Sequence, residues 1–369
     1  MAEFTTSSIF GELTKVVKAR LDKATQQHVQ IFDSVLYEQF LDWDTPTIGL
    51  DFNEIMGKYD ISITAATIGD SSNEPVMDTD GVETYMGSVF HHAITRPLTI
   101  QEYRKILALR DSRAISDATV KEELIKLMWK TVSDPVKAVQ NKLDLIFLTA
   151  LSNKGKFDFT RENNPLGGIT ESIDYKMPEE NKAAVTLAWT PENIDKVDCF
   201  EDIQAVLEVA RNKTNIKEIL VDQSVIAYML RSKMIKLILN GSDKYATPRF
   251  LNDLNAFMSS NGLPTFRPIQ RLIKITKDKA AIKPWNADNM VFVPDGKLGV
   301  IKNAFADSEL KQDDGVSYSN YGRIRVAQWG VGEKENSRHT EFAKAESLSL
   351  PVITEMNGIY NLNIKGQKD

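Results

Sequence analysis

Between residues 61 and 100 the chain reads as an extended element with too little around it to stand alone. Tyr59-Asp60-Ile61-Ser62-Ile63-Thr64-Ala65 alternates apolar and polar side chains, the period of a strand. Gly69-Asp70-Ser71-Ser72-Asn73-Glu74-Pro75 is dense in turn formers. A second extended stretch runs from Thr84 to Ile100, with Met86, Phe90 and Ile94 set among Ser88 and His92. The pattern predicts a long hairpin. Arms of about ten to fifteen residues at ~3.3 Å each reach roughly 30–50 Å. A two-stranded hairpin is marginal in water, and nothing adjacent in sequence supplies a third strand. Such an element needs another surface to lie on, and a neighbouring subunit is the natural one.

The remaining patterns are organised around that hairpin. Before it, a basic stretch (Lys15, Lys18, Arg20, Lys23) and the loop-like Trp43-Asp44-Thr45-Pro46 read either as an arm crossing another surface or as a short helix docked on its own domain. After it, Leu124, Leu127, Met128, Val132, Val136, Val139, Leu143, Ile146, Phe147 and Ala150 make one helical stripe across residues 117–152. Pro135 interrupts the stripe, so a kink or two abutting helices are expected, with Ser133 or Asp134 as cap. Asn153-Lys154-Gly155 suits a left-handed cap. A Gly/Pro/Asn loop at 163–168 precedes a strand pair. The block after about residue 195 reads as an α/β layer domain. It has an amphipathic helix at 200–212, a buried strand Ile219-Leu220-Val221, helices at 224–239 and 248–260, and strands at 271–277 and 290–294. The tail alternates again around Leu348-Ser349-Leu350-Pro351-Val352 and at 359–364, and is expected to return to strands near the long helix.

Composition sets outer limits. The 369 residues suit about two or three domains, and 42% hydrophobic with 26% charged residues is ordinary for a soluble globular chain. Cys199 is the only cysteine, so no intrachain disulfide forms and the fold suits a reducing cytoplasm. It reads as a small half-buried residue at a helix start rather than a catalytic thiol. The first residues hold no apolar run of signal-peptide length, and Glu3 and Glu12 speak against a transit peptide. No stretch of ~18 apolar residues predicts a membrane span. With no export expected, the sequons at Asn212 and Asn240 carry no meaning. A net charge of −6 speaks against tight DNA binding as the main task, although a local basic face remains compatible with it.

The order of arm, long hairpin, long helix, central α/β block and returning strands resembles the Hong Kong 97 (HK97-like) fold of tailed-bacteriophage major capsid proteins. Within that fold it is similar to the phage lambda capsid protein E family. The likeness rests on Glu74-Pro75-Val76 at the hairpin tip, the helix ending Leu148-Thr149-Ala150-Leu151-Ser152-Asn153-Lys154-Gly155, the turn Phe292-Val293-Pro294-Asp295-Gly296, and Ser347-Leu348-Ser349-Leu350-Pro351 before the terminal strand. Each motif is weak by itself; their joint order over most of the chain carries the resemblance. It implies an α+β fold with an N-terminal arm (1–55), an extended hairpin loop (56–104), a peripheral domain with the spine helix (105–195), an axial domain (196–335) and C-terminal strands returning to the peripheral domain (336–369). It further implies a virion shell of hexamers and pentamers, assembled in the bacterial cytoplasm around double-stranded DNA held by weak non-specific contact. Scaffolding protein and portal are implied partners, and a decoration protein is an optional one.

Charge patterning supplies candidate intersubunit contacts. Residues 61–100 hold the acids Asp70, Glu74, Asp78, Asp80 and Glu83 and a single base, Arg96, whereas Arg267, Arg271, Lys274, Lys277, Lys279 and Lys283 form a basic run. Complementary patches of this kind set register and partner choice more than affinity. For each residue the alternative is a solvated charge on its own face. Some relatives join a hairpin lysine to an asparagine of another subunit; residues 61–100 contain no lysine, so that crosslink is not expected here.

No catalytic site, cofactor site or metal site is expected. Asp78-Thr79-Asp80-Gly81 lacks the closing glutamate of a calcium loop. His91 and His92, adjacent on a strand, point to opposite faces. Gly330-Val331-Gly332 lacks the third glycine of a nucleotide fingerprint and reads as a turn or bulge. Two alternatives remain open: the shell of a cellular nanocompartment of the same fold, and a cytoplasmic enzyme with its site in the central α/β block, for which Asp222, Ser224 and His339 do not assemble into a catalytic set on sequence grounds.

Overall fold

A computed structural model describes residues 11–26, 35–56, 83–111, 117–241, 248–332 and 340–366. In chain order, α1 (Gly11–Gln26), α2 (Tyr37–Phe40) and β1 (Leu41–Trp43) lead to the paired strands β2 (Asp51–Met56) and β3 (Glu83–Ser88). β4 (Phe90–Thr99), α3 (Ile100–Asp111) and α4 (Asp117–Ser152) follow. Next come β5 (Lys156–Asp158), β6 (Ser172–Asp174), β7 (Lys182–Ala184), α5 (Cys199–Ala210), β8 (Ile216–Val221), α6 (Gln223–Met229), α7 (Lys233–Asn240) and α8 (Leu251–Ser260). The last elements are β9 (Thr265–Pro268), β10 (Asn289–Pro294), β11 (Gly299–Ala304), α9 (Asp307–Leu310), β12 (Ser317–Tyr321), β13 (Ile324–Val331), β14 (Thr340–Ile353) and β15 (Tyr360–Asn363).

The chain divides into two compact units, each made of distant segments. One takes Met1–Phe52, Gly87–Asp144 and Ile301–Pro351; the other takes Asn53–Met86, Leu145–Val300 and Val352–Asp369. The first unit is built on the sheet β1-β11-β14-β13-β12, with β4 also pairing β14. Its core joins Val132, Val136 and Val139 of α4 to Leu98, Ile324, Val326, Ala343 and Ala345 of the sheet, and to Val17 and Leu21 of α1. The basic N-terminal stretch is therefore a helix docked on its own unit. The Arg20 guanidinium lies 4.2 Å over the Trp129 ring, a cation on the aromatic face that ties α1 to α4. α4 is assigned as one helix of 36 residues through Pro135, where two abutting helices were one expectation. The packing of Val132, Pro135 and Val136, all buried, outweighs the single backbone bond that proline removes.

The second unit holds the sheet β7-β15-β10-β8-β9. β10 is buried at every position and lies between β15 and β8, antiparallel to both. A strand covered on both sides reads as a continuous apolar run rather than an alternation, which is what Met290-Val291-Phe292-Val293 shows. α5 starts where Asp198 accepts the amides of Phe200 and Glu201, and it buries Ile203, Val206, Leu207 and Ala210. At its start Cys199 is fully buried, and burial pushes its thiol up to about 12. The end of α4 is closed by Lys154 (φ 58°) and Gly155 (φ 85°), the predicted left-handed cap. Asn289 donates to the carbonyl of Ser152 at 2.7 Å, satisfying a group the helix leaves open.

Several expectations are corrected. The helix predicted at 224–239 is two, α6 and α7: Ser232 is fully buried and its hydroxyl accepts the amide of Ile235, starting a new helix after the first has closed. Residues 271–277 are not a strand. Only Ile273 and Ile282 bridge, exchanging two backbone bonds of 2.9 and 2.8 Å, because β9 already fills the sheet position beside β8. Gly330 and Val331 lie in the regular ladder of β13 opposite Glu341 and Thr340, not in a turn or bulge. The tail divides: β14 joins the first unit's sheet, whereas β15 pairs with β10 and β7 of the second. The hairpin is also better supported than its sequence neighbours suggest, because β4 pairs with β14 over ten residues, from Phe90↔Ser349 to Thr99↔Thr340. Its first predicted arm, at 59–65, lies outside the described residues.

Candidate assembly surfaces

The candidate contact residues fall into three groups. Asp70, Glu74, Asp78 and Asp80 lie outside the described residues, and Glu83 opens β3. Arg96 and Arg267 are engaged within the chain. Arg96 pairs with Asp134 of α4 and reaches the carbonyl of Lys130 at 3.3 Å. Arg267 on β9 meets Glu218 on β8 at 3.3 Å, with both side chains one-third exposed. The basic excursion between β9 and β10 is different. It begins with the half-buried Arg271 and carries the exposed Lys274, Lys277 and Lys279 beside the exposed Leu272. Lys283 at its end turns back to the buried Asp222, 3.0 Å away.

Asp222 was one member of the catalytic alternative, and its surroundings explain it structurally. Its carboxylate accepts the amide and hydroxyl of Ser224 at 2.8 and 2.6 Å, capping α6. Burial pushes its pKa up, but the bonds from Ser224 and Lys283 outweigh that and hold it below the ordinary value. His339 lies outside the described residues.

On β4 the two histidines separate as the strand period requires. His91 is exposed and bonds Glu346 of β14 at 3.0 Å. Ser308 donates to the other carboxylate oxygen at 3.1 Å, and Lys344 pairs with the same group. Burial raises the Glu346 pKa, yet these hydrogen bonds and the lysine charge prevail and hold it at about 2. His92 faces the core, with Nε2 3.1 Å from the carbonyl oxygen of Ser349. Burial, helped by the charge of Lys142, lowers its pKa to about 3 and keeps it neutral. Sequence reading missed both the Glu346 cluster and the pairing that creates it. Its only signal was the alternation of residues 340–350.

In the second unit a cleft of about 660 Å³ is lined by Met56, Tyr85, Met86, Tyr175, Lys176 and Lys213, among others. Tyr85 and Tyr175 lie 5.4 Å apart, and Lys213 pairs with Glu180 at the cleft wall. Among the described residues, no helix is long and apolar enough to cross a membrane.

With this geometry in hand, the class of protein follows. The structure is similar to that of the putative capsid protein of a prophage from E. coli CFT073, at a TM-score of 0.58 and 13% identity, over 95% of this chain and 98% of that one. A phage-related protein from Bordetella bronchiseptica RB50 matches at a TM-score of 0.48 and 8% identity, over 95% and 98% of the two chains. The fold is the HK97-like capsid fold. No curated protein matches the chain. Residues 62–360 match the family described as phage major capsid protein E, and the chain belongs to that family. It is a major capsid shell protein, as the order of its sequence motifs implied.

Proposed function

We propose that the chain assembles as hexamers and pentamers into the icosahedral head of a tailed phage, around double-stranded DNA. The observation that carries this reading is the family match over residues 62–360. Scaffolding protein and portal are its partners during assembly in the host cytoplasm, and the mature protein resides in the virion without catalytic activity. Residues 1–55 form the N-terminal segment, in which α1 is docked on its own unit rather than free as an arm; 56–104 serve as the extended loop, 105–195 as the peripheral domain, 196–335 as the axial domain and 336–369 as the C-terminal strands.

Heterologous contacts between identical subunits require two different surfaces on each copy. Charge supports one such pairing: the acids Asp70, Glu74, Asp78, Asp80 and Glu83 on one copy against Arg271, Lys274 and Lys277 on another. Arg96 and Arg267 are already paired within the chain, with Asp134 and Glu218. The surplus of acid over base, −6, fits a shell that touches DNA weakly. Negative-stain microscopy of the overexpressed full chain tests the reading, with closed shells or capsomers expected. A chain that stays monomeric at every salt concentration, with scaffold supplied, sinks it.

A further inference from the structure

We propose that Asn255 seals the free edge of the second unit's sheet and so keeps copies of this chain from joining there strand to strand. The seal belongs to the single subunit and goes beyond the shell reading; only its consequence for assembly rests on that reading.

β9 ends the sheet β7-β15-β10-β8-β9, so among the described residues one of its sides has no strand beside it. Which backbone groups face that side follows from the ladder. β9 runs parallel to β8, from Thr265 opposite Glu218 to Pro268 opposite Val221. In a parallel pair, alternate residues turn both amide and carbonyl toward the same neighbour. The amide of Ile269, just past β9, bonds the Val221 carbonyl at 2.8 Å. The alternation then turns Arg267 and Thr265 to β8 and leaves Pro264, Phe266 and Pro268 facing outward.

Two of those three are prolines and have no amide to offer. Outward positions on edge strands are where proline is tolerated in a sheet. The third is Phe266, and both of its groups are taken. Its amide donates to Oδ1 of Asn255 at 2.8 Å, and its carbonyl accepts from Nδ2 of Asn255 at 2.9 Å. One side-chain amide thus meets the edge as the peptide group of a neighbouring strand would. The outward side from Pro264 to Pro268 keeps no unbonded amide.

The helix itself does not call for this asparagine. Asn255 lies in the middle of α8, where asparagine is a weaker helix former than alanine or leucine. Leu254 and Met258 of α8 are buried in one core with Phe266, so apolar packing already holds the helix to the strand. The two bonds of Asn255 add to that docking, and what they accomplish is to use up the edge. An edge strand with free amides is a template for the same edge on another copy. During assembly many identical edges are brought close together. Pairing between them competes with the closing contacts that a shell requires.

The test uses the full-length chain, as wild type and as Asn255→Ala. Alanine removes both bonds to Phe266 while favouring α8. Asp198→Ala, which loses two bonds to the start of α5 in the same unit, controls for lost stability alone. In the dissociated wild-type subunit the Phe266 amide should exchange slowly with solvent, and in Asn255→Ala roughly tenfold faster. Fast exchange in wild type overturns the seal without any variant. Asn255→Ala should keep the circular dichroism of wild type and sediment as non-shell aggregates that bind thioflavin T, roughly fivefold above Asp198→Ala. Clean shells with no aggregate above that control overturn the inference. Adding Pro264→Ala and Pro268→Ala to Asn255→Ala returns two amides to the edge and should raise the aggregate again. An unchanged yield assigns the effect of Asn255 to stability and overturns the inference as well. A wild-type chain that stays monomeric while Asn255→Ala aggregates overturns the shell reading and supports the seal.

Discussion

At the scale of single residues, acid is the condition to which this fold is most exposed. His92 has a folded pKa of about 3 against 6.5 for the free group, so its contribution is complete above 6.5 and is lost as pH falls toward 3. Glu346, at about 2 against 4.5, contributes above 4.5 and loses that contribution as pH falls toward 2. Both shifts act in the same direction, and Glu346, half screened by solvent, supplies on the order of 2 kcal/mol rather than the full value of its shift. The melting temperature should therefore fall in two overlapping stages below pH 6.5. His92→Gln should flatten the upper stage and Glu346→Gln the lower. A melting temperature that is constant between pH 6.5 and 4.5 would rule out the role given to His92. Gly299 is a second sensitive point. A Cβ there would sit 2.0 Å from the carbonyl oxygen of Val352 and 2.8 Å from the amide of Thr354, both immovable backbone. Gly299→Ala should cost about 3 kcal/mol or prevent folding, as read by urea denaturation of the soluble fraction. None of these three roles was legible in the sequence, because each depends on a strand far away in the chain.

At the scale of elements, what the sequence revealed was local and periodic. The stripe from Val132 to Ala150, the cap at Asn153-Lys154-Gly155 and the apolar runs of β8 and β10 were all readable from spacing. Caps inside an apolar run were not. In the run Val225 to Leu239 the polar cluster Arg231-Ser232-Lys233 reads equally well as the outer face of one helix until the Ser232 hydroxyl is seen on Ile235. The charges failed differently. Arg96 and Arg267 looked available because their partners, Asp134 and Glu218, lie 38 and 49 residues away. Caps should account for measurable stability: Asp198→Ala removes two bonds to the first turn of α5 and should lower stability by about 1 kcal/mol. An unchanged denaturation midpoint would show that water replaces the carboxylate there.

At the scale of the whole molecule, family and fold were legible because they reside in the order of elements. The pairing of strands was not. With no lysine in residues 61–100, purified shells boiled in detergent should run as a single monomer band; a ladder of covalent oligomers would contradict this. The ladder between β4 and β14 has a consequence of its own. Its partners lie about 250 residues apart, as in Phe90 with Ser349 and His92 with Ser347. At roughly 5–20 residues per second, the ribosome needs on the order of tens of seconds to pass from one strand to the other. Throughout that interval β4 lacks its native neighbour on the inner side, and the sheet of the first unit stays unfinished. The chain can thus complete this sheet only after Ser349 has been made. Translation itself then sets the earliest moment at which a subunit is fit to join others.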